Sequence, residues 1–135
     1  MIKMWQIVGG FATMYAIATI LGFAAYFLLN PTAMWVSVFT LMPAVSAWLI
    51  YRYLRKMKFT REASRAECAK LLGVWIGLSF AFDALVYIAV IPSLRHTSPN
   101  WTFFRDQSPW IWLSYAVLLV SGFVGRQAYL RSLHA

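Results

Sequence analysis

Acid is scarce in this chain. Its only carboxylate side chains are Glu62, Glu67, Asp83 and Asp106, so the paired acids used for hydrolysis have few places to form, and a single carboxylate seldom suffices for that chemistry. Cysteine occurs once, at Cys68, which excludes an intrachain disulfide and, with no chelating neighbours at ligand spacing, a thiolate metal or redox site. The two histidines, His96 and His134, lie at opposite ends of the last third of the chain, so a metal site or a bis-histidine haem site is not expected. No nucleophile–base pair and no phosphate-cradling glycine loop stands in the sequence. The chain is not expected to be an enzyme, and its residues name no cofactor.

Charge of either sign is also sparse: 12% of residues are charged and 61% are hydrophobic, whereas roughly a quarter of a soluble chain is charged. Residues 4–51 carry no charge, residues 71–94 carry only Asp83, and residues 107–125 again carry none. A membrane-spanning helix needs about 20 predominantly apolar residues. The first tract therefore holds two spans, at about residues 5–29 and 33–53, and the others hold one each, at about residues 71–92 and 110–130. The expected fold is all-α: a single polytopic domain of four transmembrane helices in an antiparallel bundle. The first apolar run is longer than the core of a signal peptide and is followed directly by another span, so it is expected to persist as a helix.

The positive charges mark topology. Lys3, then Arg52, Arg55, Lys56, Lys58, Arg61, Arg65 and Lys70, and finally Arg126 and Arg131 all fall on one side, against Arg95 and Arg105 on the other. That bias puts both termini in the cytoplasm. Arg52, Arg55, Lys56, Lys58, Arg61 and Arg65 are candidates to touch anionic lipid headgroups, each contributing about 1 kcal/mol near such a surface. The net charge of +8 is spent on this placement, so no nucleic-acid partner is expected.

Punctuation divides the spans. Asn30-Pro31-Thr32 makes a tight turn after the first, since proline constrains the residue before it. Pro43 falls inside the second span, where its ring removes an amide hydrogen bond and is expected to kink the helix and free a carbonyl near Phe39. In the basic connection, about residues 54–70, Thr60 can cap a helix with Glu62 in its first turn, and Ser64 with Glu67 also fits a capping box. That helix should run without a break into the third span. Residues 93–109 form the longest connection on the far side, expected to lie as a lid on the membrane surface. Asn100-Trp101-Thr102 within it reads as a glycosylation sequon by chance.

Small residues mark where helices can approach closely in lipid. Ala69, Gly73, Gly77 and Ala81 recur at spacing four in the third span and form a ridge for a helix-packing interface, with the same chain or a second copy. Weaker sets are Ala12 with Ala16 and Ala18 with Gly22 in the first span, and Ser37, Thr40, Ala44 and Ala47 in the second. In the fourth, Ser114, Leu118, Ser121 and Gly125 share a face.

Asp83 is the residue that asks for a function. An ionisable group at bilayer depth costs at least about 2.5 kcal/mol to insert, so it faces protein or water and carries a role. Ser79, Asp83 and Tyr87 make a polar stripe at spacing four. Counting a rise of about 1.5 Å per residue inward from the ends, the level of Asp83 matches Tyr15 and Thr19 in the first span, Thr40 to Ser46 in the second, and Ser114 to Ser121 in the fourth. None of these is basic. Asp83 is left with hydroxyls, the carbonyl freed by Pro43, a bound cation, or a basic residue of another chain. The candidate proton or ion site is therefore Asp83 with Ser79, Tyr87, Tyr15, Thr40, Ser46 and Ser121.

Comparison with families of this size mostly eliminates. Small multidrug transporters carry their essential carboxylate in the first helix, where this chain has no acid, and lipoprotein signal peptidases use two intramembrane aspartates where this chain has one. The arginine, glutamate and asparagine set of the glutathione-linked membrane eicosanoid enzymes is missing. The arrangement Glu67, Gly73, Trp75 and Asp83 resembles that of small four-span bacterial membrane proteins, which implies an inner-membrane location but brings no activity with it. The function expected from the residues is a proton- or cation-linked transporter or channel-like protein acting as a homo-oligomer. The alternative is an accessory subunit of a larger membrane complex.

Overall fold

A computed structural model describes residues 2–134. Among them every regular element is helical. Four helices are long and apolar enough to cross a membrane: α1 (Ile2–Leu28), α2 (Pro31–Met57), a composite third helix, and α6 (Trp110–Ser132). The third begins as α3 (Arg61–Asp83), widens into a π-helical stretch (Ala84–Val90) and closes with the turn α4 (Ile91–Leu94). A single turn, α5 (Phe103–Asp106), lies in the connection to α6.

Local chemistry sets the boundaries. Asn30 is extended and its side chain accepts a bond from the Ala33 amide at 2.7 Å, while Pro31, whose missing N–H costs nothing in the first turn, opens α2. α2 runs unbroken through Pro43 to Met57 and ends on Lys58, which takes the left-handed cap conformation at φ 53°. Only residues 58–60 separate it from α3, because the second helix continues several residues past the apolar tract. Thr60 caps α3, accepting from the Ala63 amide at 3.2 Å, and Ser64 bonds back to the Arg61 carbonyl inside the helix. The helix then runs into the third span without a break.

The π-helical stretch follows from a proline. Pro92 has no N–H to give the Ile88 carbonyl, and its ring would crowd that group in an α-helical turn. The turn widens, so that the Ile91 amide reaches back to Val86. The orphaned Ile88 carbonyl is taken by the Asn100 amide at 2.9 Å, from the connection folding back over the helix. A buried carbonyl left bare would cost about 1–3 kcal/mol, so this bond fixes the connection as much as it completes the helix.

α2 packs against α1 and α6, and α3 packs against α1 and α6, with little contact between α2 and α3. Ile7, Phe11, Met14, Ile50, Leu54, Leu71, Trp75 and Leu118 form the core. The Trp75 indole donates to the Ile7 carbonyl at 2.9 Å, tying α3 to α1. α2 and α6 come close at the backbone, where a Cβ on Gly125 would stand 2.6 Å from the Ala47 carbonyl oxygen. Gly122 is filled from the other side by Leu72 of α3. Ser114, Leu118, Ser121 and Gly125 are all buried, so this face of α6 is its packing face.

The ridge of Ala69, Gly73, Gly77 and Ala81 lies elsewhere. All four residues are exposed, and nothing lies within 4 Å of a Cβ built on Gly73 or Gly77. The buried stripe of α3 is Ser64, Cys68, Leu71, Trp75, Ser79 and Asp83, and the ridge stands on the opposite side of the helix. Within one chain the ridge packs on nothing described. Ala12, Ala16, Thr40 and Ala44 are likewise exposed, while Gly22, Ser37 and Ala47 are turned inward.

At one end of the molecule the start of α1, the α2–α3 turn and the end of α6 converge. Lys3 lies over the Phe59 ring at 5.0 Å, the Tyr129 hydroxyl donates to the Phe59 carbonyl, and the Arg126 guanidinium donates to the Ser64 hydroxyl and the Arg61 carbonyl, each at 3.2 Å. Arg126 thus ties the end of α6 to the start of α3. Arg52, Arg55, Lys56, Lys58, Arg61 and Arg65 surround this end with exposed side chains. Among the described residues the one ion pair is Arg105 with Asp106, at 3.8 Å, at the other end.

Candidate functional site

Toward the end that carries the long connection, the four helices part around a cavity of about 830 Å³. Its walls come from α1, α2, the π-helical stretch, the connection and the start of α6. Most of the lining is apolar or aromatic, including Phe23, Trp35 and Phe103. Asp83, only 8% exposed, is the one carboxylate in that lining.

Two phenols hold it. The Tyr15 hydroxyl of α1 donates to Asp83 Oδ1 at 2.9 Å, and the Tyr115 hydroxyl of α6 donates to Oδ2 at 2.7 Å. Each oxygen receives one donor from a different helix, so the carboxylate bridges three helices and its geometry is fixed from both sides. A carboxylate has about four lone-pair sites, so acceptor capacity remains for a group entering the cavity. Hydrogen bonds with an ionised partner are about twice as strong as neutral ones. The same two donors therefore bind the helices together and set the orientation of the acid.

Asp83 sits where the regular α-helix ends and the widened turn begins. π-Helical stretches recur at functional sites because they re-aim side chains next to them. Tyr87, one turn on, lines the cavity, and its ring stacks on Phe103 with centroids 4.7 Å apart and planes 9° from parallel. Phe103 is buried, so this stack and the Asn100–Ile88 hydrogen bond together pin the connection over the cavity. Arg95, Thr97, Ser98, Asn100 and Gln107 give the cavity a polar rim.

The structure brings together Asp83, Ser79, Tyr87 and Tyr15 of the residues expected from the sequence, and Thr19 also lines the cavity. Thr40 does not join them: it is exposed, and its hydroxyl bonds the Val36 and Ser37 carbonyls of its own helix. Ser46 is fully buried away from the cavity, and its hydroxyl has no partner among the described residues. Ser121 is buried and bonds the Val117 carbonyl. The carbonyl expected from Pro43 makes no recorded bond to Asp83. Tyr115 is the partner the residue pattern passed over: it lies between Ser114 and Ser121, at the depth already matched to Asp83, but a tyrosine in a span reads first as an interfacial anchor.

No three histidine, cysteine, aspartate or glutamate side chains come together among the described residues. The site is one carboxylate, two phenol donors and an aromatic cavity. It can hold a proton or one cationic group. No family model matches the chain, and no curated protein or solved structure matches it either.

Proposed function

We propose that this is a small cation-linked transport or channel-like membrane protein, in which Asp83 takes up a proton or a cation in turn. The observation that carries the reading is the buried carboxylate at a cavity of about 830 Å³, with one hydroxyl donor on each of its oxygens. An acid that served only to tie helices together would need no such space beside it. The four spans would form an antiparallel bundle with both termini in the cytoplasm, by the bias of basic residues, and the cavity would then open away from the cytoplasm. A bacterial inner membrane suits this arrangement, with Arg52, Arg55, Lys56, Lys58, Arg61 and Arg65 against anionic headgroups on the cytoplasmic side. All six are exposed and none forms an ion pair among the described residues, Arg55 donating to the Tyr51 hydroxyl and Arg52 lying over the Trp48 ring, so their charges remain available to lipid phosphate.

The exposed ridge of Ala69, Gly73, Gly77 and Ala81 supports an assembly larger than one chain, because small residues let a second helix approach closely in lipid and no described residue covers Gly73 or Gly77. A homo-oligomer fits the transport reading. The same ridge supports the second reading, an accessory subunit docked on a larger membrane complex. The test is flux in liposomes: wild-type protein should move a proton or cation down an imposed gradient, and Asp83→Asn should abolish that movement. Equal flux from the two proteins contradicts the proposal.

A further inference from the structure

We infer that the cavity beside Asp83 receives an organic cation, an amine or quaternary ammonium carrying an apolar group. The inference deepens the reading of Asp83 as a cation site and rests on it.

Three observations select this class. The first is size: about 830 Å³ is far more than a proton or a single metal ion needs, and falls within the roughly 300–1,000 Å³ of small-molecule sites. The second is the donor set. Calcium takes 6–8 oxygen ligands and magnesium demands a near-octahedral shell, but beside Asp83 stand chiefly phenols whose hydrogens are already committed to it, and Ser79. An ammonium nitrogen needs far fewer oxygens. The third is the wall. Tyr15, Phe23, Trp35, Tyr87, Phe103 and Tyr115 all line the cavity, and aromatic rings attract cations electrostatically while shielding an apolar substituent from water. Arg95 at the rim does not oppose this. It is exposed and lies a dozen residues beyond Asp83, roughly 18 Å away by helical rise, so at the site its charge is far weaker than that of the carboxylate itself.

The experiment is equilibrium binding to the full chain in lipid nanodiscs. The probes are tetraphenylphosphonium, the neutral triphenylphosphine oxide, and sodium and potassium ions. The expected result is saturable binding of tetraphenylphosphonium, no saturable binding of the neutral probe, and at least a tenfold loss of affinity in Asp83→Asn. Val38→Trp, which fills the cavity from α2, the wall that supplies neither Asp83 nor its donors, should cause a comparable loss, so a poorly folding Asp83→Asn does not remove the test. Equal binding of the neutral probe, or undiminished binding by both variants, would make the cavity a mere apolar pocket and overturn the inference. Asp83-dependent binding of sodium or potassium with none of the organic probe also overturns it, while leaving the proton or cation reading intact. Failure of every probe, with no Asp83-dependent proton uptake, overturns both.

Discussion

Replacing Gly125 by alanine tests how these helices hold together. Its Cβ would stand 2.6 Å from the Ala47 carbonyl oxygen and 3.1 Å from the Ile50 Cβ. A carbon–oxygen contact is comfortable at about 3.3 Å, so α2 and α6 must part by roughly 0.7 Å along that direction, and the obstruction is backbone that cannot rotate away. A gap of about 0.5–1 Å forfeits a quarter to a half of each dispersion contact it opens. In lipid no hydrophobic gain draws the helices back together. Overpacking of this kind costs about 1–3 kcal/mol, and a loss near 2 kcal/mol lowers the folded-to-unfolded ratio roughly thirtyfold. Gly73→Ala and Gly77→Ala meet open space, so each should leave the isolated chain as stable or raise its stability by up to about 1 kcal/mol, the usual gain from replacing glycine inside a helix. Reversible unfolding in mixed micelles under monomeric conditions measures all three. Destabilisation by Gly77→Ala equal to that by Gly125→Ala would refute the packing described.

The remaining predictions concern Asp83 and the connection above it. Tyr15→Phe and Tyr115→Phe each remove one donor and should cost about 1–2 kcal/mol in the same unfolding assay. The double variant should lose more than the sum, because it leaves a buried acid with neither phenol donor. Asn100→Pro deletes the N–H that satisfies the Ile88 carbonyl. It should cost about 1–3 kcal/mol and raise amide exchange through the connection and the π-helical stretch while leaving α2 protected; unchanged exchange would contradict the role given to that bond.

What the sequence makes legible here is the set of spans and part of their depth. Charge-free tracts mark four spans, Thr60 marks the start of α3, and a constant rise per residue puts Tyr15 level with Asp83. Direction around each helix is not legible, because lipid and protein core are equally apolar and a helix apolar all round carries no amphipathic stripe to show its inner face. Thr40 therefore faces away from Asp83, whereas Ser46 and Ser121 miss it in depth: Ala47 meets Gly125, and Gly122 meets Leu72 and Cys68, eleven and fifteen residues along α3 from Asp83. The glycine ridge fails as an address for the same reason: the spacing of Gly73 and Gly77 advertises close contact without saying with what, while the tight crossing falls at Gly125, on the face it shares with Ser114, Leu118 and Ser121. The π-helical stretch does have a signal in Pro92, which must orphan the Ile88 carbonyl. Its consequence depends on Asn100 arriving from the connection, a long-range event that local pattern does not contain.

The central claim is that a proton and a cation compete for one carboxylate. The direct measurement is proton release on cation binding, followed with a pH indicator in weakly buffered nanodiscs across a series of starting pH values. Wild-type protein should release up to about one proton per chain, passing through a maximum as pH varies, since binding displaces only protons held before it. Asp83→Asn should release none. Release from Asp83→Asn equal to that of the wild type, or cation binding by the wild type with no release at any pH, would contradict the account.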